Sequence, residues 1–156
     1  MTPDHAGRSG PFWEFLAGRQ APPPAAAALG WALLRVDPDR GEIEVRYDAS
    51  GFANPVGNVQ GGFLAAMLDD TLGPALVATL PAGQFAVTLD LNVSFLRPAR
   101  PGPITGSGRV LHRGGSVAFL AGELRDDSGE VVATGTATAR IIRPDPGAAR
   151  YGKSGG

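Results

Sequence analysis

Two neighbouring carboxylates, Asp69 and Asp70, lie at the centre of the longest apolar stretch of the chain, Phe63 to Leu80. The stretch shows no two-residue alternation and is too long for one strand, so it is predicted to be helical. Apolar or small residues occur on every side of that helix, which predicts burial all round. A buried carboxylate without a partner is costly, so at least one acid is expected to be paired or functional. The ordinary alternative is that one acid faces solvent or caps another group.

A glycine-rich segment, Gly57-Asn58-Val59-Gln60-Gly61-Gly62, precedes this helix. It is expected to place unpaired backbone N–H groups at the helix start, where the helix dipole also favours negative charge. Such a terminus can stabilise a developing oxyanion. A flexible glycine-rich loop is the ordinary alternative, and two adjacent glycines alone do not decide between them.

The spacing of Gln60 and Asp69 bears on how a site could be assembled. Nine residues of helix make about 2.5 turns and roughly 13 Å along the axis, on nearly opposite faces. The two side chains therefore cannot share one reaction centre within a single chain. If both belong to a site, that site joins Gln60 and Gly61 of one subunit to Asp69 of another, and a two-fold dimer has two such sites.

Strand patterns flank the predicted helix, which spans Val59 to Leu80 with a kink or an end at Gly73-Pro74. The clearest pattern is Glu42 to Asp48, where apolar and charged residues alternate. In Thr88 to Phe95, Leu91 alternates with Thr88, which places them on opposite faces. The remaining strands are predicted at Leu29 to Val36, Ile104 to Arg113, Val117 to Arg125 and Val131 to Ile142.

This order of elements predicts an α+β domain in which one curled antiparallel sheet of five or six strands wraps around a long central helix. The domain is expected to span residues 29–143. Residues 1–28 form an N-terminal extension with a short helix within Gly10 to Arg19, which Pro22-Pro23-Pro24 ends. The glycine- and proline-rich residues 144–156 are predicted to be a disordered tail.

Composition excludes several classes of function. The chain has no cysteine, so disulfides and cysteine nucleophiles are ruled out, and a reducing cytoplasm is the expected location. No spacing of histidines suits a metal site. The net charge of −1 gives no general attraction to nucleic acid or membranes. A phosphate-loop pattern at residues 147–154 is rejected, since no helix can follow it before the sequence stops.

Three segments together resemble the hotdog-fold acyl-CoA thioesterases of the phenylacetic-acid-degradation type. The first runs from Asn54 through Gln60-Gly61-Gly62 to Asp69 and resembles an Asn, a His-Gly-Gly at the helix start, and an acid nine positions later. The others are Asp90 to Ala99 and Gly129 to Gly135. The similarity extends from about Leu29 to Ile142, and it implies a hotdog fold and hydrolysis of acyl-CoA to free acid and CoA.

The resemblance also implies residue roles. Asp69 matches the carboxylate that acts as general base or nucleophile, and the Gly61 N–H matches the group that polarises the thioester carbonyl. Asn54 matches a residue that holds the attacking water or the substrate, and Thr88 falls near a Ser or Thr that supports the water. Gln60 departs from the usual His. Its amide forms hydrogen bonds but cannot transfer protons near neutral pH.

Coenzyme A enters as part of the substrate, and no other cofactor is implied. Between Asp90 and Glu123 the chain has arginines but no acidic residue, which suits the CoA phosphates, although solvated strand ends are the ordinary alternative. The family pattern points to the helix start and two turns as CoA contacts, namely Gly62, Arg97, Arg100, Arg113 and Gly114. Phe52, Phe63, Met67 and Leu72 are candidates to line an acyl pocket, and which of them do so depends on the dimer packing.

The resemblance implies a homodimer or a homotetramer built from such dimers. Two other functions on the same fold remain open from the sequence. Gln60 favours a non-catalytic acyl-CoA binding protein. A hydratase or dehydratase fits less well, because that chemistry usually needs a His near its acid.

Overall fold

The computed structural model describes residue 5 and residues 7–145. Two short helices open the chain, α1 (Pro11–Leu16) and α2 (Pro24–Leu29), and one long helix, α3 (Gly61–Val77), lies in its middle. The six strands are β1 (Ala32–Asp37), β2 (Glu42–Asp48), β3 (Phe85–Phe95), β4 (Pro103–Arg113), β5 (Val117–Arg125) and β6 (Val131–Ile142).

All six strands form one antiparallel sheet in the order β1-β2-β4-β5-β6-β3. The sheet curls around α3, which packs against β2, β3, β4, β5 and β6. The predicted α+β hotdog architecture is thereby confirmed, with six strands. In the described part of the chain β3 has a strand neighbour on one side only, so its other edge is free.

Glycines on the inner face of the sheet allow α3 to approach closely. A Cβ added at Gly122 would lie 2.6 Å from the carbonyl oxygen of Ser107 and 2.9 Å from Leu72. The helix is also bonded to the sheet through Tyr47, whose hydroxyl donates to the Met67 carbonyl oxygen at 2.9 Å. These contacts fix how far each residue of α3 stands from the sheet.

The long helix runs through Gly73-Pro74, so the predicted end of the helix at that point is wrong. Pro74 has no N–H to donate to the carbonyl oxygen of Asp70, four residues earlier. The indole Nε1–H of Trp31 donates to that oxygen instead, at 3.1 Å. A donor from outside the helix therefore replaces the missing bond, and α3 extends to Val77.

The N-terminal residues form more structure than the sequence predicts. The short helix expected within Gly10 to Arg19 is α1, but α2 is an addition and shortens the predicted strand Leu29 to Val36 to Ala32–Asp37. Four consecutive alanines favour this helix, and Pro24 is tolerated at its first position. Most of the predicted disordered tail, residues 146–156, and the rejected phosphate-loop pattern lie outside the described residues.

Candidate active site

One end of the candidate site is built around Asp69, the ninth residue of α3. The hydroxyl of Thr88 on β3 donates to Asp69 Oδ1 at 2.7 Å. Both side chains lie in a cavity of about 470 Å³, together with Phe12 and Gly73. The structure thus brings together two of the sequence-predicted site residues, and we call this cavity the acid cavity.

A β-bulge explains how Thr88 reaches Asp69. The pairing of β3 with β6 passes from Thr88–Ala139 to Asp90–Thr138, so Leu89 is an extra residue on β3. The strict alternation predicted for this strand, with Thr88 and Leu91 on opposite faces, is therefore wrong. The bulge inverts the alternation. Thr88 then faces α3, the same side on which Leu91 packs against the core.

The prediction that α3 is buried all round is wrong for the single chain. Its buried residues, such as Leu68 and Leu72, face the sheet, whereas Gly62, Ala66 and Asp69 are exposed. The reason is that the curled sheet covers one side of the helix only. Asp69 is therefore open to solvent and to any molecule that packs on this side.

Asp70 is the half-buried acid of the pair. Its Oδ2 is buried and has no hydrogen-bond partner among the described residues. Burial, and secondarily the charge of Asp69, raises the pKa of Asp70 to about 6. Burial likewise raises the pKa of Tyr47, which packs beneath α3. Asp70 is thus a carboxyl group that packs against an apolar part of the protein and has no polar partner for Oδ2 among the described residues.

The other end of the candidate site is the start of α3. Gln60 is the N-cap residue, with an extended backbone, and its exposed side chain makes no capping hydrogen bond. The N–H of Gln60 donates to the Phe52 carbonyl at 2.9 Å. Within residues 7–145, no acceptor is bonded to the N–H groups of Gly61 and Gly62. These unpaired donors, with the helix dipole, can stabilise a developing oxyanion.

The loop before α3 is organised by Asn54. Its Oδ1 accepts hydrogen bonds from the N–H groups of Val56 and Asn58, both at 3.1 Å. Asn54 therefore shapes the turn that leads into the helix start. Its side-chain amide donates no hydrogen bond to another described residue and remains available for a ligand.

A cavity of about 320 Å³ lies at this helix start, and we call it the oxyanion cavity. It is lined by Asn54, Asn58, Gly61 and Phe95, among others. A Cβ added at Gly61 would lie 3.1 Å from the Phe95 ring, so the helix start and the end of β3 are in close contact. The sequence analysis did not select Asn58 or Phe95. Phe95 could have been found from its position near the end of a predicted strand, just before Arg97-Pro98.

The acid cavity and the oxyanion cavity share no lining residue. The structure thus places Asp69 and Thr88 in one cavity and Asn54 and Gly61 in the other. Within one chain these two pairs of residues do not meet. This separation is what the nine-residue spacing from Gln60 to Asp69 requires. One chain therefore holds two different halves of the candidate site.

Comparisons with known proteins identify the family. The family model of the thioesterase superfamily matches residues 56–133, half of the chain. The chain belongs to the thioesterase superfamily. A phenylacetic acid degradation-related protein from Ralstonia eutropha JMP134 has a similar structure, with 45% identity and a TM-score of 0.80, covering 83% of this chain and 98% of that protein. The chain is accordingly a thioester hydrolase with the hotdog fold.

Curated sequences agree with this membership. Human acyl-coenzyme A thioesterase 13 is 30% identical over 90 residues, which cover 56% of the present chain and 64% of the human protein. A protein from Saccharolobus solfataricus is 29% identical over 111 residues, which cover 71% of this chain and 78% of that protein. The matched parts thus span 64% to 78% of these two relatives.

The residues predicted to contact CoA are spread over both ends of α3 and the nearby turns. Arg97 lines the oxyanion cavity and donates to the Val131 carbonyl oxygen at 2.7 Å. Arg113 donates instead to the carbonyl oxygen of Thr79, beyond the C-terminal end of α3. Arg100 and Gly62 are exposed, the latter at the helix start, whereas Gly114 lies in the β4–β5 turn. One chain therefore does not gather them into a single cluster.

The four candidate acyl-pocket residues lie in two different environments. Met67 and Leu72 are 0% and 1% exposed, because they face the sheet and fill the core. Phe52 and Phe63 stack on each other, with ring centroids 4.1 Å apart.

In residues 7–145 no helix is long and apolar enough to span a membrane. Within the same range, no group of three or more His, Cys, Asp and Glu residues could hold a metal ion.

Proposed function

We propose that this thioesterase hydrolyses acyl-CoA thioesters at a site shared between two subunits. The observation that carries the proposal is the pair of incomplete cavities, one with the Asp69–Thr88 pair and one with the unpaired Gly61 N–H. The relative named acyl-coenzyme A thioesterase 13 supports the choice of CoA thioester as substrate.

A second copy of the chain is proposed to pair along the free edge of β3. Large apolar side chains are exposed there, with Phe85 at 50%, Val87 at 41% and Leu89 at 58%. A long apolar edge strand left open is an aggregation hazard, so a partner that covers it is expected. Antiparallel pairing of the two β3 strands about a two-fold axis supplies that cover.

This pairing would also complete the site. Thr88, near the start of β3, lies in the acid cavity, and Phe95, at its end, lies in the oxyanion cavity. In an antiparallel pair, the start of one strand lies beside the end of the other. The acid cavity of one subunit then faces the oxyanion cavity of its partner. A homotetramer would contain two such dimers.

The proposed reaction uses each half for one task. Asp69 either removes a proton from the water that attacks the thioester carbon, or adds to that carbon itself, in which case the loss of CoA gives an anhydride that water then cleaves. The negative charge that forms on the carbonyl oxygen faces the Gly61 N–H. The C–S bond then breaks and CoA leaves as the thiolate, which takes up a proton. Gln60 and the Asn54 amide orient the substrate and the water.

Binding of the CoA portion is proposed to use the sequence-predicted contacts from both subunits. Arg97 lines the oxyanion cavity, and Gly62 and Arg100 directly follow its lining residues Gly61 and Ala99 in the chain. Arg113, which precedes Gly114, contacts Thr79 beyond the far end of α3. Two-fold pairing is the arrangement that can bring them to one substrate. The lack of cysteine favours the reducing cytoplasm as the place of action.

The direct test measures release of free CoA thiol from a panel of acyl-CoA substrates. Asp69→Asn keeps the size of the side chain and removes its ability to act as base or nucleophile, so kcat should fall by ~10²-fold or more. Asp127→Asn, in an exposed turn, is the matched control and should leave kcat unchanged. An Asp69→Asn enzyme within about threefold of the wild type would remove Asp69 from the reaction.

The Gln60 side chain motivates one alternative, a binding protein that does not cleave its ligand. Gln60 adds no group that titrates near neutral pH, so the pH–rate profile should lack the descending limb of a histidine-like acid. Gln60→Ala should cost about 0.5–3 kcal/mol in the barrier, and Gln60→His should retain activity. If wild type and Gln60→His both bind acyl-CoA without releasing thiol, the binding protein is the better account.

A further inference from the structure

Two cavities share a wall made by the N-terminal segment and the middle of α3. One is the acid cavity. The other, of about 190 Å³, lies between the N-terminal helices and α3, and we call it the N-terminal cavity. Phe12, Asp70 and Pro74 line both. The N-terminal cavity therefore lies next to the acid cavity, on the other side of Phe12.

The N-terminal cavity has the lining of a pocket for a small apolar group. Aromatic and aliphatic side chains dominate it, and its polar side chains are Gln20 and Asp70. Small-molecule sites are mostly apolar with few polar groups, and those for drug-sized ligands have volumes of ~300–1,000 Å³. At about 190 Å³ this cavity suits a short or compact group and excludes a long straight chain.

The wall is part of the folded protein and not a gap under a loose terminus. Arg8 donates to the Ala78 carbonyl oxygen at 3.3 Å and forms an ion pair with Asp39 at 2.8 Å. Next to Phe12, Trp13 is only 6% exposed and belongs to the core. These contacts hold Phe12 in place between the two cavities.

We propose that the N-terminal cavity receives the acyl group of the substrate and that Phe12 sets the length of chain the enzyme accepts. The proposal rests on the proposed hydrolysis, since a thioester carbon beside Asp69 directs its acyl chain toward Phe12. The substrate class is then CoA thioesters of short, neutral, apolar acids. A second carboxylate on the acyl group would meet Asp70 in the cavity wall and be disfavoured by like charge.

The test compares straight-chain acyl-CoA substrates of increasing length in wild type, Phe12→Ala and Phe12→Trp. The measured quantity is kcat/KM from thiol release. Removing the ring opens the N-terminal cavity, so Phe12→Ala should raise the ratio of kcat/KM for long over short chains by about tenfold or more. Phe12→Trp should shift the ratio in the opposite direction. Phe119→Ala removes an exposed ring on β5 and should leave the profile unchanged.

A uniform loss of kcat/KM at every chain length in both Phe12 variants would overturn the proposal. Calorimetric titration of the same acyl-CoA series gives Kd without relying on turnover. If the wild type releases no thiol, the proposed hydrolysis fails, but a shift of preferred length in Kd by Phe12→Ala still supports the acyl cavity. Unchanged length preference in Kd and in kcat/KM would contradict the cavity assignment alone.

Discussion

Replacing Asp70 by Asn should stabilise the protein at neutral pH and have little effect in acid. Asp70 Oδ2 is buried without a hydrogen-bond partner among the described residues, and no ion pair in residues 7–145 involves this side chain. Burial first, and then the charge of Asp69, raises the pKa of Asp70 to about 6. The ionised carboxylate is therefore disfavoured in the folded state.

The sign and size follow from linkage. An unfolded chain ionises Asp70 near its ordinary pKa of 3.8, whereas the folded chain does so at about 6. Between these values the folded state binds more protons, so the free energy of unfolding falls as pH rises through the window and stays lower above it. A difference of about two pH units corresponds to ~3 kcal/mol. Since the side chain is partly open to solvent, we expect about 1–2 kcal/mol.

The assay is urea unfolding of the wild type and Asp70→Asn at about pH 4 and about pH 7.5, at one fixed protein concentration. Asn has a similar size and no charge, so the gain should appear at the higher pH and be small at the lower one. Asp127→Asn controls for removal of an exposed charge. Equal changes at both pH values, or a loss of stability at pH ~7.5, would refute the reasoning.

Three further changes test other parts of the structure. Thr88→Val removes the hydrogen bond to Asp69 and should lower kcat by about 5–30-fold, whereas Thr88→Ser should retain most activity; equal kcat in both would contradict this role. Trp31→Phe leaves the carbonyl freed by Pro74 without its donor and should lower the free energy of unfolding by about 1–2 kcal/mol, and unchanged urea unfolding would contradict it. Gly122→Ala should cost about 1–3 kcal/mol by crowding the inner sheet, and a neutral result would show that α3 can shift.

Strands β2 to β6 could be predicted because one face of each packs on α3. In β2 the alternation places Ile43, Val45 and Tyr47 inward, and all three are at most 2% exposed. The predicted bounds of β2, β5 and β6 agree with the structure for the same reason. A period of two is a direct consequence of strand geometry, so it can be read without knowing the partner strand.

The parts that could not be predicted depend on non-local contacts. The bulge at Leu89 inverts the alternation of β3, and nothing in the two-residue period marks it. The helix passes Pro74 because Trp31, far away in sequence, supplies the missing donor. Helix α2 was missed because its alanines carry helix propensity but no amphipathic pattern.

Apolar composition also misled the prediction about Asp69. A helix that is apolar on all sides predicts burial, but composition does not tell whether the cover comes from the same chain or from another. In the single chain Asp69 is exposed and Asp70 is the half-buried acid. The nine-residue spacing from Gln60 to Asp69 was the better guide, because helix rise fixes that separation whatever packs around it.

The most direct test of the shared site mixes two inactive variants. Asp69→Asn removes the acid, and Gly61→Val crowds the Phe95 ring and blocks the N–H at the helix start. After subunit exchange, shown by co-purification of a tagged subunit, half of the dimers are mixed and each contains one intact site, so about one quarter of wild-type activity should return. A mixture no more active than its two parents would contradict a site shared between subunits.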